Sequence, residues 1–231
     1  MSTVYLIPAP LDPENLAAIP SYVLDAIKDC TLFFVENERT TRRYFKKYWK
    51  EMVIDSYQWH TIGEEPTTAA FVKALGRGDN IGIVSEAGCP GVADPGQELI
   101  ALAHRHGAIV KPLVGPSSIL LALMASGGNG QQFHFYGYLP IEQKAREKMI
   151  RQIESAAKKE NTTQLFIETP YRNNQLLAAL LQQLQPSTLL CLAVALTGPA
   201  EWVRTQTVAE WKQQLPDLHK RPVIFLVLPD R

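Results

Sequence analysis

Short apolar runs alternate along the chain with longer segments in which apolar residues recur at helical spacing. Runs such as 4–7 and 80–85 have the length and β-branched content typical of buried strands. Strands that alternate with helices indicate an α/β architecture. The predicted strands are residues 4–7, 31–35, 52–54, 80–85, 108–113, 133–138, 163–167, 189–195, 202–206 and 223–228.

Capping signals mark the predicted starts of several helices. A cap residue precedes proline at Asp12-Pro13, Asp94-Pro95 and Thr169-Pro170, and Thr207 with Glu210 predicts a capping box. A further helix is predicted near 116–126, and the glycine-rich stretch 127–130 after it is predicted to be a hinge. We therefore predict two α/β domains with mixed or parallel sheets, an N-terminal domain at 1–115 and a C-terminal domain at 116–231.

Composition narrows the class of protein. The chain has 231 residues, with 23 Lys plus Arg and 23 Asp plus Glu, so the net charge is zero. This balance argues against indiscriminate adhesion to nucleic acid or membrane, but it allows a local basic patch. Three widely spaced cysteines favour a reduced compartment over a disulfide framework. The cysteine pattern therefore predicts a cytoplasmic protein. Because no apolar run is long enough to span a bilayer, no membrane partner is predicted.

The stretch 81–96 is the most informative local feature. A β-prone run ends at Val84, and the following loop, which includes Ala87 and Gly88, carries almost no side-chain bulk. A bare loop at the carboxyl end of a strand allows a flat ligand to approach the backbone closely. The alternative is an ordinary connection to the next helix, but such connections need only about two to six residues.

The turn after the first strand restricts which ligand fits. It reads Pro8-Ala9-Pro10-Leu11-Asp12, without the glycines that a dinucleotide-binding turn requires, and no P-loop motif occurs in the chain. The two prolines remove backbone donors and fix φ, which gives a stiff apolar shelf in place of a phosphate cradle. Such a shelf suits a ligand without phosphates, such as S-adenosylmethionine.

Several motifs occur together in a specific order. They are Pro8-Ala9-Pro10-Leu11, Val84-Ser85-Glu86-Ala87-Gly88-Cys89-Pro90, Ala93-Asp94-Pro95-Gly96, Gly115-Pro116-Ser117-Ser118, Tyr136-Gly137-Tyr138-Leu139-Pro140 and Phe166-Ile167-Glu168-Thr169-Pro170-Tyr171-Arg172. Over essentially its whole length the chain resembles the tetrapyrrole methylase superfamily, and within it the branch that methylates a ribose 2′-hydroxyl of small-subunit ribosomal RNA. The resemblance implies two α/β domains, S-adenosylmethionine bound in the cleft between them, and a homodimer.

The resemblance also implies which residues contact the cofactor. The predicted contacts are Pro8, Ala9, Pro10, Leu11, Ser85, Glu86, Ala87, Gly88, Val92, Ala93, Asp94, Ser117, Ser118, Leu139, Ala195, Leu196 and Pro222. No metal site is predicted, because His104 and His106 are too close in sequence to share a helix face. Cys89 has no local base that would make it a nucleophile, so we interpret it as a small loop residue.

Methyl transfer from a sulfonium is an in-line displacement, so positioning supplies much of the catalysis. A ribose hydroxyl also gains from a base that takes its proton. We predict catalytic roles for Glu38, Arg39 and Glu168. For Glu38, and for nearby Glu36, the alternative is a solvated acidic turn before a helix. For Glu168, followed four residues later by Arg172, it is a structural ion pair.

A basic cluster interleaved with aromatic residues suggests RNA as a partner. It comprises Arg39, Arg42, Arg43, Lys46, Lys47 and Lys50, with Tyr44, Phe45, Tyr48 and Trp49 between them. The alternative is a plain amphipathic helix with a solvated basic face. A second basic set, diluted by glutamates, contains Lys144, Arg146, Lys148 and Arg151.

Some polar segments differ from the usual pattern of the ribose-methylating branch. They are Glu36-Asn37-Glu38-Arg39-Thr40, Val194-Ala195-Leu196-Thr197-Gly198 and Lys220-Arg221-Pro222. These differences weaken the assignment of the substrate but not that of the cofactor.

From the set of motifs we predict a methyltransferase that uses S-adenosylmethionine and acts on ribosomal RNA of the small subunit. Two alternatives stay open: carbon methylation of a porphyrin or corrin precursor, and a catalytically silent cofactor-binding relative.

Overall fold

The structure is a computed structural model that describes residues 1–64 and 66–229. The chain divides into two compact units, Met1–Ser117 and Ser118–Arg231. The first contains strands β1 (Thr3–Ile7), β2 (Leu32–Val35), β3 (Gln58–Thr61), β4 (Ile81–Val84) and β5 (Ile109–Pro112), and helices α1 (Val23–Asp29), α2 (Glu38–Tyr48), α3 (Thr67–Arg77) and α4 (Gln97–Arg105). Short 3-10 turns lie at Leu16–Ala18 and Ile54–Ser56.

A parallel sheet forms the centre of the first unit, with strand order β3-β2-β4-β1-β5. Helices α1 and α2 pack on one face, where Phe33 and Phe45 belong to the core, and α3 and α4 pack on the other, around Phe34 and Phe71. Both faces are covered, so the central strands are apolar along their whole length, as is usual for parallel sheets. Because all five strands are parallel, their carboxyl ends lie at one edge of this sheet.

The second unit has a mixed sheet. Its elements are α5 (Ser118–Ser126), β6 (Phe133–Tyr138), α6 (Gln143–Glu160), β7 (Thr163–Ile167), α7 (Asn173–Gln183), β8 (Leu189–Val194), β9 (Trp202–Thr207), α8 (Val208–Trp211) and β10 (Val223–Val227). The strand order is β6-β7-β10-β8-β9, in which β6 and β7 are parallel and the remaining pairs are antiparallel. Helices α6, α7 and α8 cover one face and α5 covers the other.

The predicted α/β class with mixed and parallel sheets is confirmed, but the predicted strand at 52–54 is wrong. Met52 is fully buried and Ile54 begins a 3-10 turn, and the strand that pairs with β2 is β3. β3 is an edge strand made of Gln, Trp, His and Thr, all of them exposed or half-buried. Its pattern is therefore too polar to stand out as a strand beside the apolar Met52–Ile54 run.

Helix starts were only partly predictable. The capping box of Thr207 and Glu210 is confirmed. The starts at Asp12, Asp94 and Thr169 are wrong: Asp12 accepts a hydrogen bond from the Glu14 amide within a turn, α4 begins after left-handed Gly96, and α7 begins at Asn173. The stretch 127–130 lies inside the second unit, because α5 packs on the second sheet. Within the described residues, no helix is long and apolar enough to cross a membrane.

Candidate functional site

The predicted residues of the first unit meet at the carboxyl edge of its sheet. Pro8 follows β1, Glu36 follows β2, and Ser85 follows β4, which lies between β1 and β2. From β1 the chain crosses to β2, and from β4 it crosses in the opposite direction to β5. In open α/β sheets, ligands bind beside such a reversal of strand order.

Two backbone hydrogen bonds join the loops after β1 and β4. The amide of Ala9 donates to the carbonyl of Gly88, and the amide of Gly88 donates to the carbonyl of Ala9, each at 2.9 Å. Gly88 has φ +77°, and a Cβ there would lie 3.5 Å from Leu11 Cδ2 and 3.6 Å from the carbonyl oxygen of Pro116. The glycine thus keeps a space beside Leu11 and Pro116 that a side chain would fill.

Pro8 is held on two sides. A Cβ on Gly115 would lie 2.1 Å from Pro8 Cβ, so only glycine allows this approach of the loop after β5. The hydroxyl of Tyr44, on α2, donates to the Pro8 carbonyl at 3.1 Å. These two contacts fix the apolar shelf. Neither contact was predicted from the sequence. Tyr44 was interpreted there as part of a nucleic-acid surface.

Carboxylates line the same edge. Glu36 Oε2 accepts a hydrogen bond from the amide of Glu86 at 2.8 Å. Burial, together with the negative charges of Glu36 and Glu86, raises the pKa of Asp94 to about 6, and the hydrogen bond from Ser85 opposes this rise. An edge with these charges repels phosphates and attracts cations. The residues present therefore fit a cationic nucleoside such as S-adenosylmethionine better than a phosphorylated one.

Asp94 gives this edge a predicted pH dependence. Below about pH 6 the carboxyl group is neutral, and above it the carboxylate attracts a sulfonium. We expect the affinity for S-adenosylmethionine to rise severalfold between about pH 5 and 7.5 in the wild type, and much less in Asp94→Asn. Calorimetric titrations across this range measure it. Parallel pH profiles for the two proteins would contradict the role given to Asp94.

The same substitution has an opposite effect on stability. The pKa of Asp94 is raised from 3.8 to about 6, so its contribution to folding is present below pH 3.8 and lost as the pH rises through 6. Asp94→Asn should therefore melt at a higher temperature than the wild type at neutral pH. Near pH 4 the two should melt together. Removing a functional carboxylate would then stabilise the fold while weakening the site.

Two predicted cofactor residues have strained backbones. Ala93 has φ 64° and Ala195 has φ 48°, in the left-handed region that non-glycine residues seldom adopt. Backbone strain of this kind is concentrated at functional loops. It supports, independently of charge, the assignment of these loops to the site.

In the second unit, the remaining predicted residues meet at one edge of the mixed sheet. Leu139 follows β6, Glu168 follows β7, Ala195 and Leu196 follow β8, and Pro222 precedes antiparallel β10. The amide of Ala195 donates to the carbonyl of Pro222 at 2.9 Å. Ser117 ends the first unit and Ser118 begins the second. The predicted cofactor contacts, including the exposed Val92, and the predicted cleft between the domains stay predictions.

Glu168 is held by two hydrogen bonds. Its Oε1 accepts from the amide of Thr169 at 2.6 Å and from Arg172 Nη2 at 2.7 Å, and its side chain is only 5% exposed. This geometry favours the structural ion pair over a free base. The catalytic roles of Glu38, Arg39 and Glu168 nevertheless stay predictions.

Arg172→Ala should be destabilising, since it leaves the buried Glu168 carboxylate without its counter-charge. We expect the free energy of unfolding to fall by about 2 kcal/mol, less than for a fully buried pair, because Arg172 is partly exposed. Urea unfolding measures this change. The double variant Arg172→Ala/Glu168→Gln should recover part of the loss, and no recovery would mean that packing alone explains it.

At this edge of the second sheet, some buried polar atoms have no hydrogen-bond partner among the described residues. They include Nε of Arg146, Nε of Arg172 and Oδ1 of Asn173. Arg146 lies in the first turns of α6, and Arg172 and Asn173 lie where α7 begins, so both groups are near the ends of β6 and β7. Unsatisfied buried groups are uncommon in native proteins and are often completed by water, an ion or a ligand.

The basic helix α2 differs from its sequence interpretation. Tyr44 and Phe45 are buried in the core, the hydroxyl of Tyr48 donates to the carbonyl of Pro20, and Trp49 packs against the same cluster. These aromatic rings are not free to stack on bases, so that part of the RNA argument is wrong. Several cations are also engaged: Arg42 with Glu38 and Asp55, Lys47 with Glu14, and Lys46 with the carbonyls of Lys50 and Met52. Arg39 and Arg43, one helical turn apart, are exposed.

Cys89 agrees with its interpretation as a loop residue. Its Sγ lies 3.6 Å from the carbonyl oxygen of Pro116 and 3.8 Å from that of Gly115. Burial and the negative charge of Asp94 raise the pKa of the thiol, which disfavours the reactive thiolate.

The family model for Tetrapyrrole (Corrin/Porphyrin) Methylases matches residues 3–212 of this chain. The chain belongs to the tetrapyrrole methylase family. The resemblance inferred from its motifs is thereby confirmed. At the level of the family, the predictions of a methyltransferase and of S-adenosylmethionine as the cofactor are confirmed as well.

Curated relatives within the tetrapyrrole methylase family carry a common name, Ribosomal RNA small subunit methyltransferase I. The protein of Bacillus subtilis is 33% identical over 180 residues, which are 78% of this chain and 59% of that relative. The protein of Vibrio cholerae is 29% identical over 227 residues, 97% of this chain and 76% of that relative. The chain thus spans about three fifths of the first relative's length and three quarters of the second's.

Two solved structures share the fold. The methyltransferase CobJ has a TM-score of 0.62 at 19% identity, with 98% of this chain and 93% of that chain covered. The uroporphyrin-III-C-methyltransferase of Thermus thermophilus has a TM-score of 0.55 at 17% identity, with 98% and 94% covered.

Proposed function

We propose that this protein is an S-adenosylmethionine-dependent methyltransferase that methylates a ribose 2′-hydroxyl in RNA of the small ribosomal subunit. The observation that carries the proposal is the bare, acidic carboxyl edge of the first sheet, in a chain of the tetrapyrrole methylase family. The name shared by its curated relatives supports RNA as the acceptor.

The residues around this edge have separable tasks. The bridge between Ala9 and Gly88, with Pro8 fixed by Tyr44, would position the nucleoside. The charges of Glu36 and Asp94 would stabilise the cation. When bound, S-adenosylmethionine would supply the methyl group in an in-line displacement: the O–C bond forms as the S–C bond breaks, S-adenosylhomocysteine leaves with the electron pair, and the acceptor hydroxyl loses its proton. Glu38, beside Arg39, stays our candidate for a residue that takes the proton or orients the ribose.

Phosphate contacts are proposed for α2. Arg39 and Arg43 are exposed on successive turns near the end of β2, the strand whose carboxyl end belongs to the candidate edge. Cations in this position would hold the RNA backbone without reading its sequence. The aromatic residues of α2 pack in the core, where Tyr44 also holds Pro8, and none of them is assigned to RNA.

The experiment compares acceptors. Purified protein receives S-adenosylmethionine with a labelled methyl group and either small ribosomal subunits that lack the modification or uroporphyrinogen. We expect label in the RNA, and nuclease digestion followed by mass spectrometry should identify a 2′-O-methylated nucleoside. Label in the macrocycle alone would contradict the RNA assignment, and no transfer to either, with intact cofactor binding, would favour a silent relative.

We also propose that the protein acts in the cytoplasm and that it forms a homodimer. The support for the dimer is the outward row of α5, where Leu120 and Met124 are 51% and 79% exposed on a helix that is apolar around its circumference. Such a helix is usually covered on both sides. Sedimentation velocity of the purified chain tests the oligomeric state.

A further inference from the structure

A basic surface with an exposed aromatic ring lies on the second unit. It is formed by the turn 169–173, between β7 and α7, and by the loop 217–221 before β10. Tyr171 is 71% exposed, and its ring contacts His219 edge to face at a centroid distance of 6.1 Å. The exposed ring of Tyr171 offers a face on which a nucleic-acid base can stack.

The two segments are held together before any ligand binds. The amide of Lys220 donates to the carbonyl of Pro170 at 3.0 Å, and Asn173 Nδ2 donates to the carbonyl of Arg221 at 2.6 Å. Asn174 accepts from the amide of Leu218 at 2.8 Å. Lys220 has φ 58°, a conformation that costs a non-glycine residue free energy and is held here by the hydrogen bond to Pro170.

The acidic side chains of this surface are engaged in hydrogen bonds, whereas two of its basic side chains are exposed. Glu168 is engaged by Arg172, and Asp217 accepts hydrogen bonds from Asn174 and from the amide of His219. The side chains of Lys220 and Arg221 are exposed, and neither forms an ion pair with another described residue within 4 Å. The hydrogen bond from Asn174 lowers the pKa of Asp217, and the charge of Arg221 helps to lower it further. At the base of the surface, Nε of Arg172 and Oδ1 of fully buried Asn173 lack partners within the described chain.

We propose that this surface binds a single-stranded segment of the substrate RNA, with a base stacked on Tyr171 and the neighbouring phosphates contacted by Lys220 and Arg221. An exposed ring flanked by exposed cations is a combination that recognises unstacked nucleotides, since every base offers a π-face and every linkage a negative charge. The inference rests on the proposed function, because it presumes that RNA is the substrate.

The test uses the full chain with S-adenosylmethionine present and a fluorescent oligouridine as the probe. Tyr171→Ala should weaken binding about tenfold, the effect of losing one base stack, whereas Tyr171→Phe should bind like the wild type. The double variant Lys220→Gln/Arg221→Gln should weaken binding and reduce the slope of log affinity against log salt by about 1.4, or about 0.7 for each lost phosphate contact.

The matched control is Lys159→Gln/Lys212→Gln, which removes the same charge at the opposite end of the second sheet, in the last turn of α6 and just after α8. It should leave both affinity and slope unchanged, and thermal melting verifies that each variant is folded. The proposal would be overturned if Tyr171→Ala and the double variant both kept the wild-type affinity and salt slope. It would also be overturned if the control variant lost as much affinity as the double variant.

Comparison with the methylation assay separates the two proposals. If small subunits are methylated but the surface variants bind oligouridine normally, this surface is wrong and the proposed function stands. If Tyr171→Ala loses oligouridine binding but the wild type methylates only the macrocycle, the surface binds single strands and the proposed substrate is wrong.

Discussion

Gly88→Val should lower the affinity for S-adenosylmethionine by about 100-fold or more. The valine side chain would occupy the space next to Leu11 and the Pro116 carbonyl, where a Cβ alone would already lie at contact distance. It would also force a β-branched residue into a φ of +77°, which costs roughly 1–2 kcal/mol and threatens the paired hydrogen bonds with Ala9. Isothermal titration calorimetry gives the affinity, and thermal melting gives the accompanying loss of stability.

Gly107→Val is the matched control for this substitution. Gly107 also has a positive φ, +68°, but a Cβ there meets nothing within 4 Å, and the residue lies before β5, at the opposite edge of the first sheet. We expect Gly107→Val to lose similar stability through its backbone but to bind the cofactor normally. If both variants bind normally, the loop after β4 does not hold the nucleoside. If both lose binding equally, the loss comes from general destabilisation.

Gly115→Ala should be the most disruptive single-methyl addition at the site. Its Cβ would lie 2.1 Å from Pro8 Cβ and 2.6 Å from Pro8 Cγ, and the proline ring cannot rotate away. Overpacking of this kind costs typically 1–3 kcal/mol. The loop after β1 would have to move, which strains the bond from Tyr44 to the Pro8 carbonyl. We therefore expect a clear fall in melting temperature together with a loss of cofactor affinity of about tenfold or more.

Gly76→Ala provides the comparison for the added methyl group. Gly76 lies within α3, has no positive φ, and its Cβ would meet nothing within 4 Å. Alanine is the better helix former, so this variant should keep or gain stability, by up to about 1 kcal/mol, and bind the cofactor normally. A Gly115→Ala protein as stable and as active in binding as Gly76→Ala would show that the close approach of the two loops does not matter.

Sequence patterns predicted the fold where each strand is buried on both faces. Apolar runs such as those of β4 and β10 are short and rich in β-branched residues, and this combination predicts a buried strand. β3 was not predicted from the sequence, because this edge strand is stabilised by its pairing with β2 and the local pattern of residues does not show that pairing. The helix starts predicted at Asp94 and Thr169 are a few residues too early, since α4 begins at Gln97 after left-handed Gly96 and α7 begins at Asn173.

The candidate site was predictable in its location more than in its chemistry. Residues such as Ala9 and Gly88 follow parallel strands, so the fold class alone brings them to one edge. The shifted pKa of Asp94 depends on burial and on Glu36, which is distant in sequence. Likewise, the spacing of the aromatic residues on α2 could not distinguish a stacking surface from a core face, and Tyr44 belongs to the core.

The central claim is that the acidic edge of the first sheet holds a nucleoside that carries a positive charge and no phosphate. Calorimetric titration of the wild-type protein with S-adenosylmethionine, and separately with ATP and with NAD, tests it most directly. The account predicts saturable binding of S-adenosylmethionine that is weakened by Gly88→Val, and no binding of the two phosphorylated nucleotides. Saturable binding of ATP or NAD, or no binding of S-adenosylmethionine, would contradict it.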